Sequence, residues 1–523
     1  MRRWEFGVTL DAAREQPLFL QLSCAIAEEI RSGRLRPGDA LPGTRELAAQ
    51  LGVNRNTIVA GYGELAAEGL VSTRVGGGTF VSVPATVDSA PTAANASRDL
   101  PTYPIARPLP APAPRSAAPH GALNLALGTP DPRLFPAAAL ARAFRRTIGP
   151  RSRALLGQSD ACGHARLRGE LAAMLARSRG LAVTPQNLMV TRSIEQAIDL
   201  VARALLAPGD TVVVEEFGYP PAWNVLRLAG ATLLPLPLDE SGLDVDALEQ
   251  LLERQSIRAV FLTPHHQFPT TSVMSAKRRE RLAALACRHR FAIIEDDYDH
   301  EFHYAGKPVL PIAAGSGRAN VVYVGSMANL LAPGLSTGFV TAPAPVFAHL
   351  RNLRAASDAR GDAAMECAIA ELFEDGELLR HVRRMRRTYV ARRDALAAAL
   401  RQHLGDALTF RIPDGGMALW ARADDGIDVV GWQRAGEREN VLFHDARRYD
   451  LLQREQPYMR LNFGYLDETE LAEAARRMAR ALTRARTTQL SATIAAAPPP
   501  QRSGNEAQAE PRRRVAGRHA GNI

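Results

Sequence analysis

Seven short apolar runs constrain what this chain can fold into more than any other feature. Residues 188–191, 211–215, 232–235, 259–263, 292–295, 321–324 and 338–341 each have the length of a strand, and amphipathic helical stretches separate them. Strands alternating with helices at this spacing imply an α/β domain with a mostly parallel central sheet covered by helices. Beyond about residue 345, a long helical run at 377–400 leads into a smaller α+β lobe that closes near residue 486.

A smaller pattern precedes it. Leu18, Leu22, Ile26 and Ile30 recur at intervals of four, which places them on one helical face. After an Arg-Pro-Gly turn at 36–38, a short helix begins with Thr44 as its cap, and Gly52 breaks it. Asn54-Arg55-Asn56-Thr57 opens another helix, with Ile58, Tyr62 and Leu65 facing inward. Two short helices joined by a glycine turn have the geometry of a helix-turn-helix, whose second helix offers its first residues to the major groove. Short strands at 70–73 and 79–83 around a Gly-rich tip read as a hairpin wing.

Between the two patterns, residues 85–120 are rich in Pro, Ala, Ser and Thr and read as a semi-extended linker. The domain bounds expected from composition are therefore 14–84, the linker, 121–486, and a basic, disordered tail at 487–523. Net charge is +9, a balance that favours an acidic partner such as nucleic acid. Among 64 basic residues only Lys277 and Lys307 are lysines. The scattered cysteines Cys24, Cys162, Cys287 and Cys367 have no metal-ligand spacing and read as buried free thiols, so no metal is expected. No stretch approaches the roughly 18 apolar residues of a membrane span, and a cytoplasmic location is expected.

The first pattern resembles the GntR-type winged helix. Its marks are Leu-Pro-x-x-Arg-Glu-Leu-Ala at 41–48, Arg-Asn-Thr at 55–57, Glu-Gly at 68–69 and Gly-Thr-Phe-Val at 78–81. The resemblance implies that Arg45, Arg55, Asn56 and Thr57 touch double-stranded DNA and that Gly77 lets the wing approach the minor groove. The larger pattern resembles the aminotransferase-like, fold-type-I pyridoxal-phosphate (PLP) domain of MocR-type regulators. It is carried by Gly163, Ser178-Arg-Gly, Pro208-Gly-Asp, Gly218-Tyr-Pro, Thr263-Pro-His-His-Gln-Phe-Pro-Thr, Glu295-Asp-Asp-Tyr-Asp-His-Glu-Phe and Met459-Arg-Leu.

That resemblance assigns Asp296, with Asp297 as the close alternative, to the cofactor's pyridinium nitrogen. It assigns Tyr298 to the phenolic oxygen, Tyr219 to stacking on the ring, Ser326 to the phosphate and Arg460 to a substrate or effector carboxylate. The acidic pair also reads as a strand-end cap, and the tyrosines as core aromatics. Three departures stand against covalent chemistry. Asn329 occupies the Schiff-base lysine position, Ser336 replaces the phosphate-facing arginine, and Arg192-Ser193-Ile194 replaces a small-residue cup, placing a branched side chain where backbone should approach oxygen. The sequence reading is thus a homodimeric DNA-binding regulator, not an enzyme, whose large domain serves dimerisation and carboxylate sensing, with any PLP held weakly and noncovalently. The alternatives are a PLP-binding aminotransferase or PLP-responsive regulator using Lys277 or Lys307, and a scaffold that binds no small molecule.

Overall fold

The computed structural model of the chain describes residues 10–82, 119 and 121–496, apart from 12, 15, 75, 76, 150, 151, 158 and 159. The chain divides into two compact units, Met1–Pro110 and Ala111–Ile523. The proline-rich linker lies outside the described residues except for Pro119, and so does the tail beyond residue 496.

The first unit contains α1 (Leu18–Arg31), α2 (Thr44–Leu51), α3 (Arg55–Ala67), β1 (Val71–Arg74) and β2 (Gly78–Val81). Leu22, Ile26, Leu47, Ile58 and Leu65 are buried together, and each contributes about 1.5–3 kcal/mol by leaving water. Tyr62 joins them and donates its hydroxyl to the Pro42 carbonyl at 2.9 Å. Helices α1 and α3 approach closely because residue 61 is glycine: a Cβ there would lie 2.9 Å from Leu22 Cδ2 and 3.1 Å from the Phe19 oxygen. Gly52 takes the left-handed conformation, φ 65°, that ends α2. Thr44 is not the cap: Gly43 holds that position, and the Thr44 hydroxyl instead accepts from Arg55 Nε at 3.3 Å. β1 and β2 pair antiparallel from Val71↔Val81 to Arg74↔Gly78. The loop before α2 extends this hairpin, with Leu41 N donating to Thr79 O at 2.7 Å and Val81 N to Asp39 O at 2.9 Å.

The second unit is built on a seven-stranded sheet. Its strands are β3 (Leu188–Thr191), β4 (Thr211–Glu215), β5 (Thr232–Leu236), β6 (Ala259–Leu262), β7 (Ala292–Asp297), β8 (Val321–Ser326) and β9 (Gly338–Thr341), in the order β3-β9-β8-β7-β6-β4-β5. Every pairing is parallel except those of β9, which runs antiparallel to both neighbours. β7 and β8 run two residues beyond the predicted runs, which places Asp296 opposite Val324 and Asp297 opposite Gly325. Both acids therefore belong to a buried strand end.

Helices α4 (Ala165–Arg179) and α5 (Ile194–Leu205) pack beside the sheet, and α6 (Ala363–Glu374) precedes the long α7 (Glu377–Leu404). The smaller lobe holds an antiparallel sheet of Leu408–Phe410, Ala418–Ala423, Tyr458–Asn462 and His444–Asp445. It is covered by α7 and α8 (Glu468–Ala496), so the last helix continues past the boundary expected at residue 486. Leu123–Asn124 pairs with Val441–Leu442, so the start of this unit is sewn into the lobe that its end builds. Among the described residues no helix is long and apolar enough to cross a membrane.

Candidate functional site

In the first unit the first turns of α2 and α3 expose Arg45, Arg55 and Asn56, with Thr57 half-buried. Asn54 caps α3, its Oδ1 accepting from Asn56 N at 2.9 Å. The positive end of the capped helix, flanked by guanidinium groups, attracts phosphate and base-edge acceptors. Arg55 is steadied through Nε by Thr44, which leaves its terminal nitrogens without a hydrogen-bond acceptor among the described residues. At the wing tip Gly77 is exposed, but the backbone demand falls one residue later, at Gly78 with φ +97°.

In the second unit the carboxyl ends of β6, β7 and β8 point the same way, and their loops carry most of the expected site residues. The two acids of β7 separate cleanly. Asp297 accepts hydrogen bonds from Tyr323 and from His300 Nδ1, the latter at 2.9 Å, and lies 3.8 Å from Arg179. Burial opposes its charge, but His300 and Arg179 overcome that and hold its pKa well below the usual carboxylate range. Asp296 is only 3% exposed and its Oδ1 has no partner. Burial, then the charges of Asp297 and Glu195, push its pKa well above the usual value. Asp297 is committed to a structural network, whereas Asp296 keeps a carboxyl oxygen with hydrogen-bonding capacity unused.

Phe268 is the hub of an aromatic wall. Its ring meets Tyr219 at 5.4 Å, Tyr449 at 5.5 Å and Tyr298 at 6.0 Å, all edge-on. The Arg460 guanidinium lies over the same ring, 4.8 Å from its centre. Arg460 is 3% exposed, and its Nε has no hydrogen-bond partner. Among the described residues no carboxylate forms an ion pair with it. Tyr219 donates its hydroxyl to Glu195 Oε1 at 2.7 Å, and Tyr298 donates to the His266 carbonyl at 3.0 Å. Asn329, in the loop after β8, donates its amide to the Tyr298 carbonyl at 3.2 Å. The Ser326 hydroxyl accepts from Ala328 N at 3.0 Å.

On the flank expected to face a phosphate, the residue at the arginine position carries no charge. Ser336 is exposed, and Arg192 turns to Asp358, Nε to Oδ2 at 3.1 Å, and to the Arg360 carbonyl. A cavity of about 790 Å³ opens there, lined by Thr191, Arg192, Ser336, Thr337, Arg360 and Glu366 among others. Lys277 and Lys307 are both exposed.

Two family models match the chain: "Bacterial regulatory proteins, gntR family" over residues 18–81 and "Aminotransferase class I and II" over residues 122–497. A probable rhizopine catabolism regulatory protein MocR of Rhizobium meliloti is 32% identical over 452 residues, covering 84% of this chain and 89% of that protein. The chain belongs to the MocR-type regulators of the GntR family. The HTH-type transcriptional regulator TauR of Rhodobacter capsulatus is also 32% identical, over 87% of this chain and 95% of its own length. Among solved structures, the α-aminoadipate aminotransferase LysN of Thermus thermophilus superposes with a TM-score of 0.66. It is 29% identical and covers 70% of this chain and 94% of its own.

Membership in the MocR-type group makes the chain a DNA-binding transcription regulator whose larger domain has a PLP-associated, aminotransferase-like fold. Some residues stand differently from the sequence reading of this group's pocket. Ile194 does not block the cup, because its side chain is buried in the cluster that holds Val212, Val214 and Trp223. Glu195, the next residue, is the group sequence reasoning missed: it accepts from Tyr219 and its charge acts on Asp296, and an acid in the first turn of a helix after a strand was the available signal. Cys24 and Cys287 are exposed rather than buried. His265, His266 and His303 gather as a group that cysteine spacing has no means of revealing.

Proposed function

We propose that this MocR-type regulator acts in the cytoplasm as a homodimer on DNA, and that its large domain receives a small carboxylate effector, without a covalent bond, at Arg460. The observation that carries this reading is the unpaired, buried Arg460 guanidinium. An isolated buried charge is costly. A ligand carboxylate relieves that cost by taking the planar guanidinium as a bidentate pair.

The residues do not fit PLP held as a Schiff base. Asp296 and Tyr219 suit its ring, but the Asn329 amide is not a nucleophile and is engaged with Tyr298. Glu195 stands where a phosphate would approach the first turn of α5, and like charges there repel. Ser336 supplies no cation, and Arg192 is committed to Asp358. The same Glu195 and the unpartnered Asp296 Oδ1 favour an amine or a hydrogen-bonding group at the far end of the ligand, so an amino-carboxylate is the class that suits both ends.

The test is thermal unfolding of the full chain against a panel of amino acids and dicarboxylates, in wild type and Arg460→Gln. A ligand that raises the wild-type midpoint and leaves the variant unmoved supports the reading, because a ligand that binds only the folded form shifts unfolding by mass action. Equal shifts in both proteins overturn it. The supporting ligand is then added to an operator-binding titration, where a regulatory ligand changes affinity through its preference for one state.

A further inference from the structure

Four histidines gather where the loop after β6 meets the turn after β7. His265 stacks on His300 with ring centres 4.3 Å apart, and His266 lies nearly parallel to His303 at 5.7 Å. His300 is committed to Asp297. The other three each bring one ring nitrogen within 4.8 Å of the others. His265 is 3% exposed and neither of its nitrogens has a partner; His303 Nε2 lacks one as well. His266 is oriented by Asp299, whose Oδ1 lies 2.8 Å from its Nδ1, and this turns its Nε2 inward to 3.4 Å from His303 Nδ1.

We propose that His265, His266 and His303 form a binding site for a divalent transition-metal ion of the zinc class. Zinc–imidazole bonds of about 2.0–2.1 Å in tetrahedral geometry put neighbouring ligand nitrogens about 3.4 Å apart. The His266–His303 separation already has that value, and His265 reaches it with a small ring movement. Three imidazoles without thiolate suit zinc, cobalt, nickel or copper rather than magnesium or calcium. Asp299 behind His266 is the carboxylate partner that fixes tautomer and ring direction for a metal-bound histidine. Without an ion neither ring nitrogen of the buried His265 has a hydrogen bond, and an ion held by one of them would offset part of that cost.

The site would join the sheet to the smaller lobe. His303 bridges to Gly415, and a Cβ at Gly415 would lie only 2.0 Å from His266 Nε2, so glycine alone lets that loop close over the cluster. His303 is half-buried and gives an ion its way in. The metal would brace the wall that also carries Phe268, since Tyr298 bonds the His266 carbonyl.

The experiment uses full-length protein without any histidine tag, stripped with a chelator, in a Cys24→Ser/Cys287→Ser background that removes the exposed thiols. It is titrated with Co²⁺ and with Zn²⁺ by visible spectroscopy and calorimetry. The expected result is one tight ion per chain, tetrahedral cobalt d–d bands with no thiolate charge-transfer band, and loss of the tight phase in His303→Ala. Asp299→Asn is expected to weaken binding about 10–100-fold while keeping the bands. Absence of tight binding to the parent protein, or a tight phase unchanged by His303→Ala, overturns the proposal. Should His303→Ala fail to fold, the stoichiometry and spectrum of the parent protein decide it alone.

Discussion

The side-chain amide of Asn329 donates to the backbone carbonyl of Tyr298 at 3.2 Å, clipping the loop after β8 to the loop after β7. A polar clip thus stands where the family resemblance places a nucleophilic amine. Restoring the amine alone is not expected to restore PLP chemistry, because an acid, Glu195, still stands in the first turn of α5 and Ser336 still lacks a charge. Asn329→Lys incubated with PLP is expected to show no aldimine absorbance that survives dialysis. The combination with Glu195→Gln and Ser336→Arg is expected to gain it. A stable band in the single variant would mean that the phosphate site is intact despite Glu195.

On the DNA side, Arg55 is held through Nε by Thr44, with its terminal nitrogens turned outward. Arg55→Ala is expected to weaken operator binding by about 1–3 kcal/mol and to relax sequence preference at one position. Arg45→Ala, if its contact is to phosphate, weakens all sequences alike and lowers the salt slope by about one unit. Affinities across a salt series, on operator and on scrambled duplex, separate the two roles.

Packing in the winged unit turns on one missing methyl group. Gly61→Ala places a Cβ 2.9 Å from Leu22 Cδ2 and against the Phe19 carbonyl, which side-chain rotation alone does not relieve. The expected cost is about 1–3 kcal/mol, read as an earlier unfolding transition of this unit in calorimetry. Gly63→Ala, where a Cβ meets nothing within 4 Å, is the control and is expected to be neutral or slightly stabilising.

These particulars show what the sequence carried and what it could not. Leu22, Ile58, Tyr62 and Leu65 announce their helices by spacing, and the runs at 188–341 announce their strands, because periodicity follows from which face is buried. Side-chain direction at an element's end is set by tertiary packing instead. Hence Ile194 turns into the core, Thr44 receives Arg55 rather than capping α2, and Cys24 faces outward. Asp296 and Asp297 are adjacent and identical in the sequence; only the positions of Arg179 and His300 show which acid is spoken for. The histidine cluster joins residues 265–266 to residue 303 through sheet topology, a relation no local spacing displays.

Glu215 offers a pH test of the sheet itself. Burial raises its pKa to about 7, against a value near 4.5 in the unfolded chain, although Thr263 donates to its Oε2 from both backbone and hydroxyl. The folded protein therefore retains a proton that the unfolded chain has released. Stability from this group is fully present below about pH 4.5 and is lost as pH rises through about 7. Glu215→Gln is expected to remove this dependence, shrinking the stability difference between acidic and mildly alkaline conditions by on the order of 2–3 kcal/mol. Denaturant melts of both proteins across that range check it, and parallel profiles would contradict it.

The most direct measurement is the intact mass of the full-length protein after incubation with PLP and reduction by borohydride. Because Asn329 has no reactive amine, no stoichiometric adduct is expected at near-equimolar PLP; the exposed Lys277 and Lys307 are expected to label only in part, in proportion to the PLP added. A stoichiometric pyridoxyl adduct on Lys277 or Lys307, abolished by changing that lysine to arginine, would contradict noncovalent sensing and restore a covalent PLP role to the large domain.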